Sequence, residues 1–127
     1  MKSKGKGALG RIGEDEVCQY LIEHGHTILD RNWRCGHLEI DLVSLACDGI
    51  HFVEVKTRTA PVQGEPQDAV TPSKQRNVAA AAGRYLAAKK GLLGEDVEVW
   101  LDVAAVTYDG GKSELRYFPA AYVPMYV

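Results

Sequence analysis

Residues 38–58 read LEIDLVSLACDGIHFVEVKTR, two apolar runs with ionisable residues set into them. In LEIDLV the apolar positions alternate with Glu39 and Asp41, and in HFVEVKTR Val53 and Val55 alternate with Glu54, Lys56 and Arg58. Side chains two apart in a strand share a face, so each run is a strand with its ionisable groups on one side. Cys47, Asp48 and Gly49 separate the runs, and Asp-Gly is a strong turn signal, which makes the pair a hairpin. Two explanations fit the charges. A sheet with one wet surface pairs them across strands for a few tenths of a kcal/mol up to about 1 kcal/mol each. A binding or catalytic face gathers them for chemistry.

On the N-terminal side of this pair, Leu9, Ile12, Val17, Tyr20 and Leu21 recur with helical spacing and predict a first helix from about Leu9 to His24, with Gly25 as its stop. HTILDRNW follows as a short strand ahead of the hairpin. TAPVQGEPQDAV (59–70) is too rich in Pro, Gly and Gln for regular structure and reads as a surface loop. Thr71-Pro72 opens a second helix, with Thr as N-cap and Pro at the first position, and its alanines predict close packing on a sheet. VEVWLDVAAVTYD and ELRYFPAAYV supply two more strands, and Pro119 confines the second to an edge or tail. The order α-β-β-β-α-β-β indicates an α/β or α+β sandwich.

Composition sets the surroundings. The chain has 127 residues and is 46% hydrophobic, which suits one domain (8–127) behind a flexible basic arm, MKSKGKG (1–7). No apolar run approaches the roughly 18 residues that span a bilayer, and the N-terminus lacks the apolar core of a signal peptide, so a cytoplasmic protein without membrane contact is expected. Cys18, Cys35 and Cys47 are odd in number and widely spaced, which fits reduced thiols and offers no CxxC pair for zinc. The formal net charge of -2 provides no general attraction for a polyanion. Any such partner must be met by local cations: Lys2, Lys4 and Lys6 in the arm, Arg11, Arg31, Arg34, Lys56, Arg58, Lys74 and Arg76.

Asp41, then Glu54 and Lys56 one residue beyond Val55, place two carboxylates and a lysine on neighbouring strands. The carboxylates and the Val55 carbonyl are hard oxygen ligands of the kind Mg²⁺ takes while keeping waters. Lys56 is suited to orient a nucleophilic water or to stabilise charge in phosphodiester cleavage. The spacing alone is weakly specific, because charged hairpins produce it by chance. His37 and His51 flank the acids and read as strand-end surface histidines rather than ligands, Glu39 reads as sharing the face of Asp41, and Asp102 reads as structural.

Three blocks, GRIGEDEVCQYLIEHGHTILDRNWRC, LEIDLVSLACDGIHFVEVKTR and GEPQDAVTPSKQRNVAAAAGRYL, with WLDVAAV as a fourth, resemble in order and spacing the YraN-like bacterial family of predicted endonucleases. The match runs from about Ala8 to Val106. That family is similar to archaeal Holliday-junction resolvases and to the restriction-endonuclease superfamily, whose signature is an Asp on one strand and Glu-x-Lys on the next. The resemblance implies an α/β, restriction-endonuclease-like core with a mixed sheet of about five strands flanked by helices. It assigns the signature to Asp41 and to Glu54, Val55 and Lys56, and the acid of the first helix to Glu14. Asp41, Glu54 and Val55 are then the expected ligands of Mg²⁺ or Mn²⁺. Of the local cations, Arg11, Arg34, Arg58 and Lys74 are the expected phosphate contacts on DNA, branched DNA included. The chain departs from the pattern in two places: Gly36 and Leu38 replace an Arg and a Gly before the first acid, and Trp100-Leu101 replaces Arg-Phe. The alternative is a non-catalytic nucleic-acid or protein-binding module on the same fold. A homodimer stays open under either reading.

If local cations capture phosphates, binding to duplex DNA should weaken with salt by about 0.9 in log-log slope for each phosphate neutralised. Deleting Met1–Lys6 is expected to flatten the slope measured by fluorescence anisotropy, and an unchanged slope would make the arm a tail.

Overall fold

The computed structural model describes residues 7–61, 70–93 and 96–122. The expected basic arm, apart from Gly7, and most of the expected 59–70 loop lie outside the described residues. Helix α1 spans Ala8–Glu23, and Gly25 follows it with φ of 89°, the left-handed conformation that stops a helix cheaply at glycine. Strands β1 (Thr27–Cys35), β2 (Leu38–Ala46) and β3 (Gly49–Thr59) come next, and β2 and β3 form the expected hairpin across Cys47 and Asp48. β1 runs to Cys35, longer than HTILDRNW alone. Helix α2 (Pro72–Ala88) opens as its sequence predicts: the Thr71 hydroxyl accepts from Lys74 N at 3.1 Å, and Pro72 occupies the first position. A short helix α3 (Lys90–Leu93), not anticipated, extends the turn after α2. β4 (Val99–Asp109) and β5 (Lys112–Phe118) complete the order, with β5 ending at Pro119 on the sheet edge.

The five strands lie in the order β1-β2-β3-β4-β5, antiparallel except for the central β3/β4 pair. Parallel neighbours need a long crossover, and the segment carrying α2 supplies it. The sheet is therefore mixed, with a helix on each face. Val78, Ala81, Ala82 and Tyr85 of α2 pack on Ile40, Val43, Ile50, Phe52 and Leu101. Val17, Cys18 and Leu21 of α1 pack on Leu42, Val53, Ala104 and Val106 of the other face.

Two details position the site. The buried face of α1 is Gly13, Glu14, Val17, Cys18 and Leu21, whereas Leu9 and Ile12, expected to be apolar contacts, are 40% and 49% exposed. The helix rotates because Gly13 lets its backbone settle onto Thr57 of β3, where a Cβ would run into the Thr57 hydroxyl. The second detail is in β2. Ile40 joins the α2 layer and Leu42 the α1 layer, so the in-out alternation reverses at Asp41. β1 reverses at the same level, where Asn32 has φ of 52° between Arg31, which reaches α1, and Trp33, which packs on Tyr85.

Gly13→Ala would gain about 1 kcal/mol of helix propensity and lose about 1–3 kcal/mol to overpacking against Thr57. A net loss of stability is expected in urea unfolding. Thr57→Ala in the same chain should restore most of it, as a coupled pair requires.

Candidate active site

The β2–β3 ladder runs from Ala46↔Gly49 to Leu42↔Val53 and stops there. Beyond it the Val55 N–H would meet no strand carbonyl. Asp41 takes that place: its Oδ2 accepts from Val55 N at 2.9 Å, so the carboxylate lies close to the plane of the sheet. The expectation that Glu39 and Asp41 stand together on one face is thus corrected. Glu39 remains in register opposite Arg34 and pairs with it at 3.8 Å, while Asp41 turns into the gap between strands.

Glu54 adjoins this gap on the α2 face, since Phe52 of the same strand lies in the α2 layer and Val53 and Val55 in the other. It is 5% exposed and Asp41 8%. Glu54 Oε2 lies 3.6 Å from Lys56 Nζ and 3.3 Å from Lys74 Nζ, so two elements converge on one oxygen. Burial, then the charge of Asp41, raises the Glu54 carboxyl above its usual range, and Lys74 and Lys56 oppose the rise. Lys74 sits in the first turn of α2, capped by Thr71, and brings that helix end to the carboxylate.

The remaining candidates lie along β3, on β1 and on α1. Arg58 continues the face of Glu54 and Lys56, half-buried, toward the end of β3. Arg34 is exposed on β1, and Arg11 is exposed on the second turn of α1. Glu14 is 2% exposed and comes from the opposite layer: its Oε1 accepts from Asn32 Nδ2 at 3.2 Å and lies 3.8 Å from Arg31, which itself bonds Asp15 at 2.8 Å. Two groups were not singled out from sequence. Asn32 is one, and only its tolerance of positive φ was a signal. The other is Tyr122, which packs against the α2 layer. Its buried hydroxyl has no hydrogen-bond partner among the described residues, and its phenol is raised by burial first and then by Glu54 and Asp102.

A residue's N–H and C=O leave a strand on the same side, so the Val55 carbonyl projects with its N–H toward the gap. Asp41, Glu54 and this carbonyl form an all-oxygen donor set, suited to a hard cation that retains waters and unsuited to zinc. Among the described residues no three His, Cys, Asp or Glu side chains form a metal cluster.

His51 proves to be neither a surface histidine nor a neighbour of this gap. It is buried on the α1 face, with Nδ1 2.6 Å from Asp102 and Nε2 2.8 Å from Asp48. Asp102 also accepts from Tyr117 Oη and, at 2.8 Å, from Ala120 N, as a structural carboxylate should. His26, bonded to Ser44 at 2.9 Å, is tilted against His51.

A mixed sheet between helices, with an acid at a ladder break and Glu-x-Lys on the next strand, is consistent with an α/β nuclease-like core. The chain belongs to the uncharacterised protein family UPF0102, whose model matches residues 13–106. This is the family that the sequence resembles under the name YraN. A UPF0102 protein of Anaeromyxobacter dehalogenans is 42% identical over 118 residues, covering 93% of this chain and 86% of that protein. One from Geobacter metallireducens is 41% identical over 91% of this chain and 92% of its own length. One from Chlorobium phaeobacteroides is 46% identical over 91% and 90%. No helix among the described residues is long and apolar enough to cross a membrane.

Burial lowers the His51 pKa, but its bonds to Asp102 and Asp48 outweigh burial and leave it raised. A raised folded pKa stabilises fully below the unfolded value of about 6.5 and loses that contribution as pH climbs through the folded value. The urea midpoint should therefore fall as pH rises above about 6.5. His51→Gln should be less stable at low pH and lack that fall.

Proposed function

We propose that this protein is a metal-dependent endonuclease hydrolysing phosphodiester bonds in DNA, with branched or otherwise structured DNA as its expected substrate. One observation carries the reading. Asp41 leaves the alternation of its strand and is fixed by the Val55 N–H beside Glu54, so two carboxylates, a strand carbonyl and Lys56 gather at one break in the ladder. A merely solvated face would keep Asp41 in register and pair it with a cation across strands, as Glu39 does with Arg34.

Asp41, Glu54 and the Val55 carbonyl would hold Mg²⁺ or Mn²⁺. Such an ion, when bound, polarises a phosphoryl oxygen and makes water a better nucleophile. Lys56 extends from the same strand face as Glu54, where an ammonium orients the attacking water and stabilises the added charge of the transition state. Lys74, at the positive end of α2, meets a non-bridging phosphate oxygen. Arg58 prolongs the cationic strip, and Arg34 and Arg11 extend phosphate contact beyond the centre. Glu14, held by Asn32 and Arg31, would approach from the α1 layer as a water contact.

A second reading, a binding module that retains the fold without turnover, also has an observation in its favour. The charge of Glu54 is already opposed by Lys56 and Lys74, and no third acidic side chain completes a cluster among the described residues.

The two separate by Mn²⁺ titration calorimetry beside single-turnover cleavage of single-stranded, duplex, flap, junction and RNA substrates. Asp41→Asn and Glu54→Gln are expected to weaken ion binding and abolish cleavage while preserving or raising DNA affinity, since negative charge leaves the neighbourhood of a polyanion. Lys56→Ala should keep the ion and lose about a hundredfold to a thousandfold in rate. An unmodified protein that binds no divalent ion with DNA present and cleaves nothing would establish the binding-module reading.

A further inference from the structure

Asn32 shares with Asp41 the gap in the β1–β2 register between the pairs Arg31↔Leu42 and Trp33↔Ile40. Its φ of 52° is left-handed, a conformation that asparagine tolerates better than most residues and that strands seldom contain. A backbone held so inside a strand points to a function for the side chain it re-aims. That side chain reaches α1, where Nδ2 donates to Glu14 Oε1 at 3.2 Å. A carboxylate oxygen accepts, so the amide nitrogen must face Glu14 and the amide oxygen is turned away from it. Asn32 Oδ1 is buried and has no hydrogen-bond partner among the described residues. Buried acceptors are nearly always satisfied, and in a polar interior the usual donor to such an atom is an ordered water. The charged groups bonded here are Glu14 and Asp15 of α1 and Arg31 of β1, which lies 3.8 Å from Glu14 and 2.8 Å from Asp15.

We propose that Asn32 is a positioning residue of the candidate active site: its amide nitrogen fixes the Glu14 carboxylate, and its amide oxygen holds a water between α1 and the strand of Asp41. The kinetic consequence rests on the nuclease reading; the bound water does not. The left-handed backbone serves this arrangement because an extended residue at position 32 would continue the alternation and carry its side chain away from α1.

Asn32→Gly keeps the left-handed conformation and removes both amide atoms. Asn32→Asp keeps the size and turns the donor facing Glu14 into an acceptor. In cleavage with Mn²⁺, Asn32→Gly should lower kcat about tenfold to a hundredfold with KM for DNA unchanged, the usual effect of losing a group that orients a site residue. Asn32→Asp should lower it further. A role in folding alone would lower Tm and leave kcat of the folded fraction unchanged, and that result overturns the proposal. Nuclear Overhauser contacts from the Asn32 Nδ2 protons to water in the unmodified protein provide a readout independent of activity. A long-lived bound water there supports the proposal even if no substrate is cleaved and the nuclease reading fails. Its absence overturns the proposal whatever the nuclease does.

Discussion

A single backbone donor governs the middle of this sheet. Val55 N–H lies just past the last β2–β3 pair, and leaving it buried without a partner would cost about 1–3 kcal/mol. Asp41 accepts it, and that bond holds β2 in a conformation where consecutive apolar residues serve opposite layers. Ile40 can then pack under α2 while Leu42 packs under α1. The same bond sets a carboxylate beside Glu54 and leaves the Val55 carbonyl facing the gap. Local hydrogen-bond satisfaction, core packing and the assembly of the acidic pair are three consequences of one arrangement.

Two buried polar centres stand out among the described residues, and they differ in how their charges are matched. Around His51 the bonding is closed: both ring nitrogens meet carboxylates, and Asp102 accepts from a ring nitrogen, a phenol and a main-chain amide. Such a network ties β3, β4, β5 and the residues after β5 into one unit. At the level of Asp41 and Glu54 the charges are less evenly balanced. The oxygens of Asn32 and Tyr122 are buried without partners among the described residues, and Glu54 sits beside a second acid against its own electrostatic preference. Native proteins keep few such groups, and those they keep are often functional. The closed network around His51 reads as structure.

Much of this protein is legible from consecutive residues. Asp48-Gly49 marks the hairpin, Thr71-Pro72 the start of α2, Pro119 the end of β5, and Glu54-Val55-Lys56 puts an acid and a lysine on one strand face. These follow from turn chemistry, capping and a two-residue period, which act over a few bonds. Other features arise only where elements meet. Leu9 and Ile12 fit a helical stripe as well as Val17 and Leu21 do, yet the contact of Gly13 with Thr57 rotates α1 and exposes them. His51 looks like any strand-end histidine until Asp102, 51 residues away, closes over it. Asp41 follows the alternation perfectly in sequence and breaks it in space, because the bond it makes depends on where a neighbouring strand stops pairing. Local sequence sets which residues can form strands and helices and which charges they carry. Which face those charges reach, and which of them meet, depended on contacts between segments distant in the chain, and no local period encodes those.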